Sequence, residues 1–120
     1  MTAITALSHG VAGLNVFGLR DPDAAAQLEV RSFAPAEGVL EDPVCGSGNG
    51  CVAAMVRRDN LLGRKSYVAS QGQCLRRDGR VHVRFEDDGI WIGGNAVTCV
   101  DGALNVLGLP WPGIRGSDSM

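Results

Sequence analysis

None of the four cysteines, Cys45, Cys51, Cys74 and Cys99, pairs with another as Cys-x-x-Cys, and no histidine stands at metal-ligand spacing from them. A zinc site is therefore not expected, nor any other metal. An excess of positive charge is also lacking. The formal net charge is −2, which argues against a dedicated nucleic-acid binder. No apolar run is long enough to cross a bilayer. The opening Met1-Thr2-Ala3-Ile4-Thr5 lacks the basic segment of a secretory leader. The expectation is a cytoplasmic protein without membrane contact, its thiols reduced. No repeat of fixed period runs along the chain.

What is present is one domain's worth of sequence. The chain has 120 residues, of which 45% are apolar, enough for a real but modest core. Seventeen glycines point to turns and close backbone approaches more than to a helical bundle. Charge is uneven. Arg57, Arg58, Arg64, Lys65, Arg76, Arg77, Arg80 and Arg84 face only Asp59 and Asp78 in the same stretch. That is either a solvated face or a field that attracts an anion or a partner.

Periodicity separates strands from one helix. Leu14-Asn15-Val16-Phe17 reads as a short strand, and Leu28-Glu29-Val30-Arg31-Ser32-Phe33 alternates as a half-buried strand that Pro35 ends. Cys51-Val52-Ala53-Ala54-Met55-Val56 is apolar on all sides, which predicts a buried helix from Asn49 to Leu61. Asn49 is its expected N-cap and Gly63 its stop. Strand period returns at Ser66-Tyr67-Val68-Ala69, Val81-His82-Val83-Arg84-Phe85, Ile90-Trp91-Ile92 and Ala96-Val97-Thr98-Cys99-Val100. Asp78-Gly79 and Asp87-Asp88-Gly89 supply turns between them. A last strand is expected from Ala103 to Leu107. Cys51 and Cys99 are expected as small buried hydrophobes, and His82 on a polar strand face. The fold class is α+β: a curved, mostly antiparallel sheet around one central helix. One helix among many strands excludes an alternating βαβ fold.

The stretch with chemical content is Glu41-Asp42-Pro43-Val44-Cys45-Gly46-Ser47-Gly48-Asn49-Gly50. Glycines where a helix begins leave backbone amides unpaired at the positive end of its dipole, which makes an anion site. They also serve a tight strand-to-helix turn, and that plainer reading stays open. No Gly-Lys-Ser/Thr follows, so this is not a P-loop. Cys51 stands where the last glycine of a dinucleotide fingerprint would be.

Residues 41–48 resemble the Glu-Asp-Pro-x-Thr/Cys-Gly-Ser-Gly/Ala signature of the phenazine-biosynthesis (PhzF-like) isomerases, in the diaminopimelate-epimerase-like superfamily. Upstream, Val30-Arg31-Ser32-Phe33-Ala34-Pro35 is similar to that family's strand and Phe-x-Pro turn. Downstream, Ser70-Gln71-Gly72-Gln73, Gly79-Arg80-Val81 and Ile92-Gly93-Gly94-Asn95-Ala96-Val97 resemble its Gln-Gly, Gly-Arg and Gly-Gly-x-Ala segments in order. The resemblance implies two similar lobes, each a curved sheet around a helix, with a site between them. It also implies proton transfer on a carbon of a small carboxylate-bearing molecule, with no cofactor. By position, Asp42 and Cys45 become the catalytic candidates, and Gly46, Ser47, Gly48 and Asn49 the substrate-binding ones. Cys45 stands either as a thiol activated at a helix N-terminus or as a small residue that fits. Asp42 is either an acid near the proton path or a turn residue or helix-dipole partner, and Glu41 is expected to be solvated or salt-bridged rather than catalytic.

On this resemblance residues 1–112 form the C-terminal lobe, entered after its first strands, and residues 113–120 a tail. The glutamate base and glycine-histidine segment of the family's first lobe, or the epimerases' second cysteine, have no counterpart here. The expectations are an isomerase lobe completed by a complementary lobe or a second copy, a non-catalytic homologue keeping an anion pocket, or a polyanion binder using the arginine stretch.

Overall fold

A computed structural model of the chain describes residues 10–103. The segment from Leu104 onward, with the rest of the expected last strand, lies outside the described residues. Six strands and one α-helix follow in the order β1 (Leu14–Leu19), β2 (Leu28–Ala34), β3 (Val39–Asp42), α1 (Gly46–Arg58), β4 (Ser66–Gln71), β5 (Gly79–Glu86) and β6 (Gly89–Gly93). Single 3-10 turns sit at Pro35–Glu37 and Gln73–Leu75.

The sheet runs β1-β2-β4-β5-β6, with β3 attached to β2. All pairings are antiparallel except β2 with β4. One edge of β2 carries β1. Its other edge is shared, with Leu28 to Val30 opposite β4, and Ser32 and Ala34 opposite β3. β3 thereby delivers the chain to the start of α1 beside the middle of the sheet. This is the α+β architecture expected of one lobe.

Strand alternation explains the core. Leu28 and Val30 of β2 are buried while Glu29 and Arg31 are half-exposed. In β5, Val81 and Val83 are buried and His82 and Arg84 exposed. These inward residues meet Val52, Ala53 and Val56 of α1 together with Tyr67 and Ala69, and Phe17, Leu62, Phe85 and Ile90 pack at the border. Tyr67 and Phe85 lie at a tilted 5.9 Å between ring centroids. Burial pushes the Tyr67 phenol up to about 12.

The helix departs from its expected frame. It begins at Gly46, not Asn49, and Cys45 is the N-cap, its Sγ accepting from the Gly48 amide at 3.3 Å. Asn49 lies inside the first turn, its amide already bonded to the Cys45 carbonyl at 3.0 Å. The stop also differs. Asn60 takes the left-handed conformation at φ 49. Its amide donates to the Arg57 carbonyl and the Leu61 amide to that of Val56, the paired bonds of a Schellman cap. Gly63, at φ 60, follows. Arg57 and Arg58 in the last turn complement the negative end of the dipole.

Burial of α1 is one-sided, against the expectation of a helix buried all round. Asn49, Val52, Ala53 and Val56 are buried, whereas Cys51, Ala54 and Met55 are exposed. The reason is geometric: an open sheet covers one face of a helix, and composition carries no record of which strands are there to cover the other. Cys51 is thus exposed rather than buried, and so is Cys99. The expected strand over Ala96-Val97-Thr98-Cys99-Val100 is not formed. Val97 and Val100 are 87% and 88% exposed, and no described strand pairs with the segment. Alternation makes a strand only where a neighbouring edge completes its hydrogen bonds.

Candidate functional site

The site is built around the turn Asp42-Pro43-Val44-Cys45 that joins β3 to α1. Asp42 Oδ1 accepts from the Val44 amide at 2.9 Å, a side-chain turn that tightens the backbone. Gln71, at the end of β4 and fully buried, clamps the turn from behind. Its Oε1 accepts from the Cys45 amide at 3.2 Å and from Asn49 Nδ2 at 2.7 Å, and its Nε2 donates to the Asp42 carbonyl at 2.8 Å. Asn49 Nδ2 also donates to the Cys45 carbonyl at 2.9 Å.

Two glycines make room for this turn. A Cβ on Gly72 would stand 2.6 Å from the Pro43 carbonyl oxygen, and one on Gly79 2.5 Å from Val44 Cγ2. The Gln-Gly and Gly-Arg segments, distant in sequence, therefore converge on the acidic turn.

In front of the turn lies a cleft of about 550 Å³ whose walls include Asp42, Cys45, Ser47 and Gly48 on one side and Asn15, Ser32 and Phe33 on the other. Asp42 and Cys45 are half-buried there, Gly46 and Ser47 are exposed, and Gly48 and Asn49 are buried. Among the described residues no acceptor meets the Gly46 and Ser47 amides, so both remain available at the positive end of α1. Cys45 Sγ lies 3.5 Å from Ser47 Oγ. Asn49 is 0% exposed and acts on the turn from within. Of the expected residues, Asp42, Cys45, Ser47 and Gly48 come together at the cleft. Among the described residues, no three His, Cys, Asp or Glu side chains gather as a metal site would require.

Sequence reasoning passed over three residues here. Gln71 was visible as half of a Gln-Gly pair, but its clamp is a contact made 26 positions away. Asn15 and Ser32 are directly opposite each other across β1 and β2. The available signal was Ser32 itself, a polar residue in the inward phase that Leu28 and Val30 occupy.

Of the solvated and salt-bridged roles expected of it, Glu41 takes the second. The Arg31 guanidinium donates to both carboxylate oxygens, at 2.9 and 2.8 Å, and holds the Glu41 carboxyl below its ordinary value of 4.5. A carboxyl depressed in the folded state stabilises fully above its unfolded value and loses that contribution as pH falls through the folded one. Stability is therefore expected to decline below about pH 4.5, and Glu41→Gln to flatten that decline in urea midpoints measured across pH. An unchanged acid slope in the variant would remove Glu41 as its source.

The sequence profile of the phenazine biosynthesis-like proteins matches residues 4–102. The chain belongs to the phenazine biosynthesis-like family. Among its relatives, "Antisense-enhancing sequence 1" of Schizosaccharomyces pombe is 36% identical over 96 residues, covering 75% of this chain and 31% of that protein. The uncharacterized isomerase YddE of Escherichia coli K12 is 30% identical over 106 residues, covering 81% of this chain and 36% of YddE. The uncharacterized isomerase C186.06 of S. pombe is 30% identical over 107 residues, covering 82% and 56% respectively. The chain thus spans from 31% to 56% of the length of these relatives. The segment they share includes the acidic turn, α1 and the strands that clamp it.

Proposed function

We propose that this chain is one lobe of a cofactor-independent isomerase that moves a proton on a carbon of a small carboxylate-bearing substrate. The observation that carries the reading is the cleft, where the half-buried Asp42 and Cys45 line one space with Ser47 and Gly48 of the helix start. The amides of Gly46 and Ser47, with the Ser47 hydroxyl, hold the substrate carboxylate. Gly48 lets the backbone close in, and Asn49 sets the turn from behind. Asp42, oriented by its Val44 bond, serves as the acid or base at the reacting carbon, with Cys45 as the second candidate. The relatives named as isomerases support this class of reaction.

Proton transfer on carbon needs a second acid-base group on the opposite side of the substrate. That group belongs to a second lobe that completes the site. Exposed apolar residues on the outward side of α1 and along β3, Met55 at 42%, Val39 at 38% and Leu40 at 63%, suit burial against such a lobe. The isolated monomer is expected to show little or no deuterium exchange beside the carboxylate across a panel of amino and hydroxy acids, and to self-associate by light scattering. Substantial exchange by a strictly monomeric protein would overturn the requirement for a second lobe.

A second reading, a non-catalytic anion-binding module, draws on one observation. Cys45 Sγ and Asp42 Oδ1 both accept backbone hydrogen bonds, which is structural work. The polyanion reading is disfavoured by charge pairing. Arg58 pairs with Asp59, Arg80 with Asp78 and Arg84 with Glu86, and the arginines divide between the end of α1, the turn after β4 and the strand β5. Where Arg57, Lys65 and Arg84 line one groove, Glu86 and Asp87 line it with them.

A further inference from the structure

The wall of the cleft opposite the helix start carries polar groups that the carboxylate reading leaves unused. Asn15 and Ser32 are cross-strand partners, so their side chains share a face, the one that Leu28 and Val30 present to the core. Ser32 is only 4% exposed, and its Oγ has no hydrogen-bond partner. A buried hydroxyl without a partner is unfavourable, and an apolar residue would serve the core better at this position. Gly48 shows where these groups point. A Cβ there would collide with Asn15 Oδ1 and lie 2.7 Å from Ser32 Oγ and 3.1 Å from Cys45 Sγ. Three polar atoms from three elements thus converge on the first turn of α1, and all four residues line the same cleft.

We infer that Asn15 and Ser32 are specificity residues of this cleft, holding a hydroxyl or amino substituent of the ligand whose carboxylate sits on the Gly46 and Ser47 amides. The inference rests on the carboxylate assignment above and adds a second point of recognition. Asn15 reaches the ligand from the half-exposed side with a group that both donates and accepts. Ser32 contributes the unpaired hydroxyl at the floor of the cleft. Ligands that carry only a carboxylate leave both groups unanswered.

The test is a chemical-shift titration of the ¹⁵N-labelled chain with propionate, L-lactate and L-alanine, read at the amides of Gly46, Ser47 and Gly48. Lactate or alanine is expected to bind about three- to tenfold more tightly than propionate. Asn15→Ala and Ser32→Ala should each reduce that ligand to the affinity of propionate, with propionate itself unaffected. Asn15→Asp, of the same size, replaces Asn15→Ala should the latter fail to fold, and is expected to abolish any advantage of lactate. Because Ser32 Oγ has no partner in the free protein, Ser32→Ala should not lower the melting temperature. A fall of several degrees would assign the hydroxyl to structure and overturn its part. Equal binding of all three ligands, or a preference that survives both variants, overturns the inference while leaving the carboxylate site standing. Absence of any shift at these amides defeats the carboxylate assignment, and this inference with it.

Discussion

Gln71→Leu is expected to destabilise the protein by roughly 3–5 kcal/mol. Leucine fills nearly the same volume, so the loss comes from polarity rather than from a cavity. Three partners are stranded at once: the Cys45 amide, Asn49 Nδ2 and the Asp42 carbonyl. Each unpaired buried group costs about 1–3 kcal/mol, and Asn49 retains one bond to the Cys45 carbonyl, which limits the sum. A domain of this size has only about 5–15 kcal/mol in hand, so the variant should lie near its unfolding threshold at room temperature. Urea denaturation measures the difference directly. A loss under about 1 kcal/mol would mean that water replaces Gln71 and that the clamp is dispensable. Carboxylate binding at the helix start should weaken as well, since the same bonds set the position of Cys45.

Gly72→Ala is expected to cost about 2–4 kcal/mol. Two effects add at this position. The residue has φ +89, where a side chain is strained, and its Cβ would press on the Pro43 carbonyl, a backbone atom that cannot swing aside. Gly63→Ala supplies the control. Gly63 has φ +60 with nothing near the added Cβ, so it isolates the backbone term, about 1 kcal/mol. The difference between the two variants in urea midpoints reports the collision with the acidic turn. Equal losses at both positions would show that the turn yields without cost and that Gly72 serves the backbone alone.

Both predictions concern residues whose partners lie far away in sequence, and that separation limited what could be read before the fold was known. Gln71 and Gly72 were visible as a matching segment. What they touch, the turn at Asp42-Pro43-Val44-Cys45, follows only when β4 lies parallel to β2 and brings its end beside β3. Asn15 shows the same limit. Its neighbours in β1 are apolar, and nothing local distinguishes it from a strand residue turned to solvent until the register places it opposite Ser32. Cys51 and Cys99 erred in the other direction. Both stand in apolar runs, yet both are exposed, because burial depends on a covering surface and not on a residue's own neighbours in the chain.

Period two and period 3.6 are local properties, so the sequence by itself determined the strands over residues 14–17, 28–33, 66–69, 81–85 and 90–92, the single helix among them, and the inward faces of β2 and β5. The motif from Glu41 to Gly48 likewise determined that a helix start, an acid and a thiol stand together, since a continuous stretch of backbone joins them. Tertiary structure alone decided the helix frame, because Gln71, from another strand, holds the Cys45 amide and Asn49 Nδ2. It alone decided that one side of α1 is open, because the sheet covers only the other. It also decided that Asn15 and Ser32 face the helix start across the cleft, a relation between strands that pairing, and no local pattern, creates.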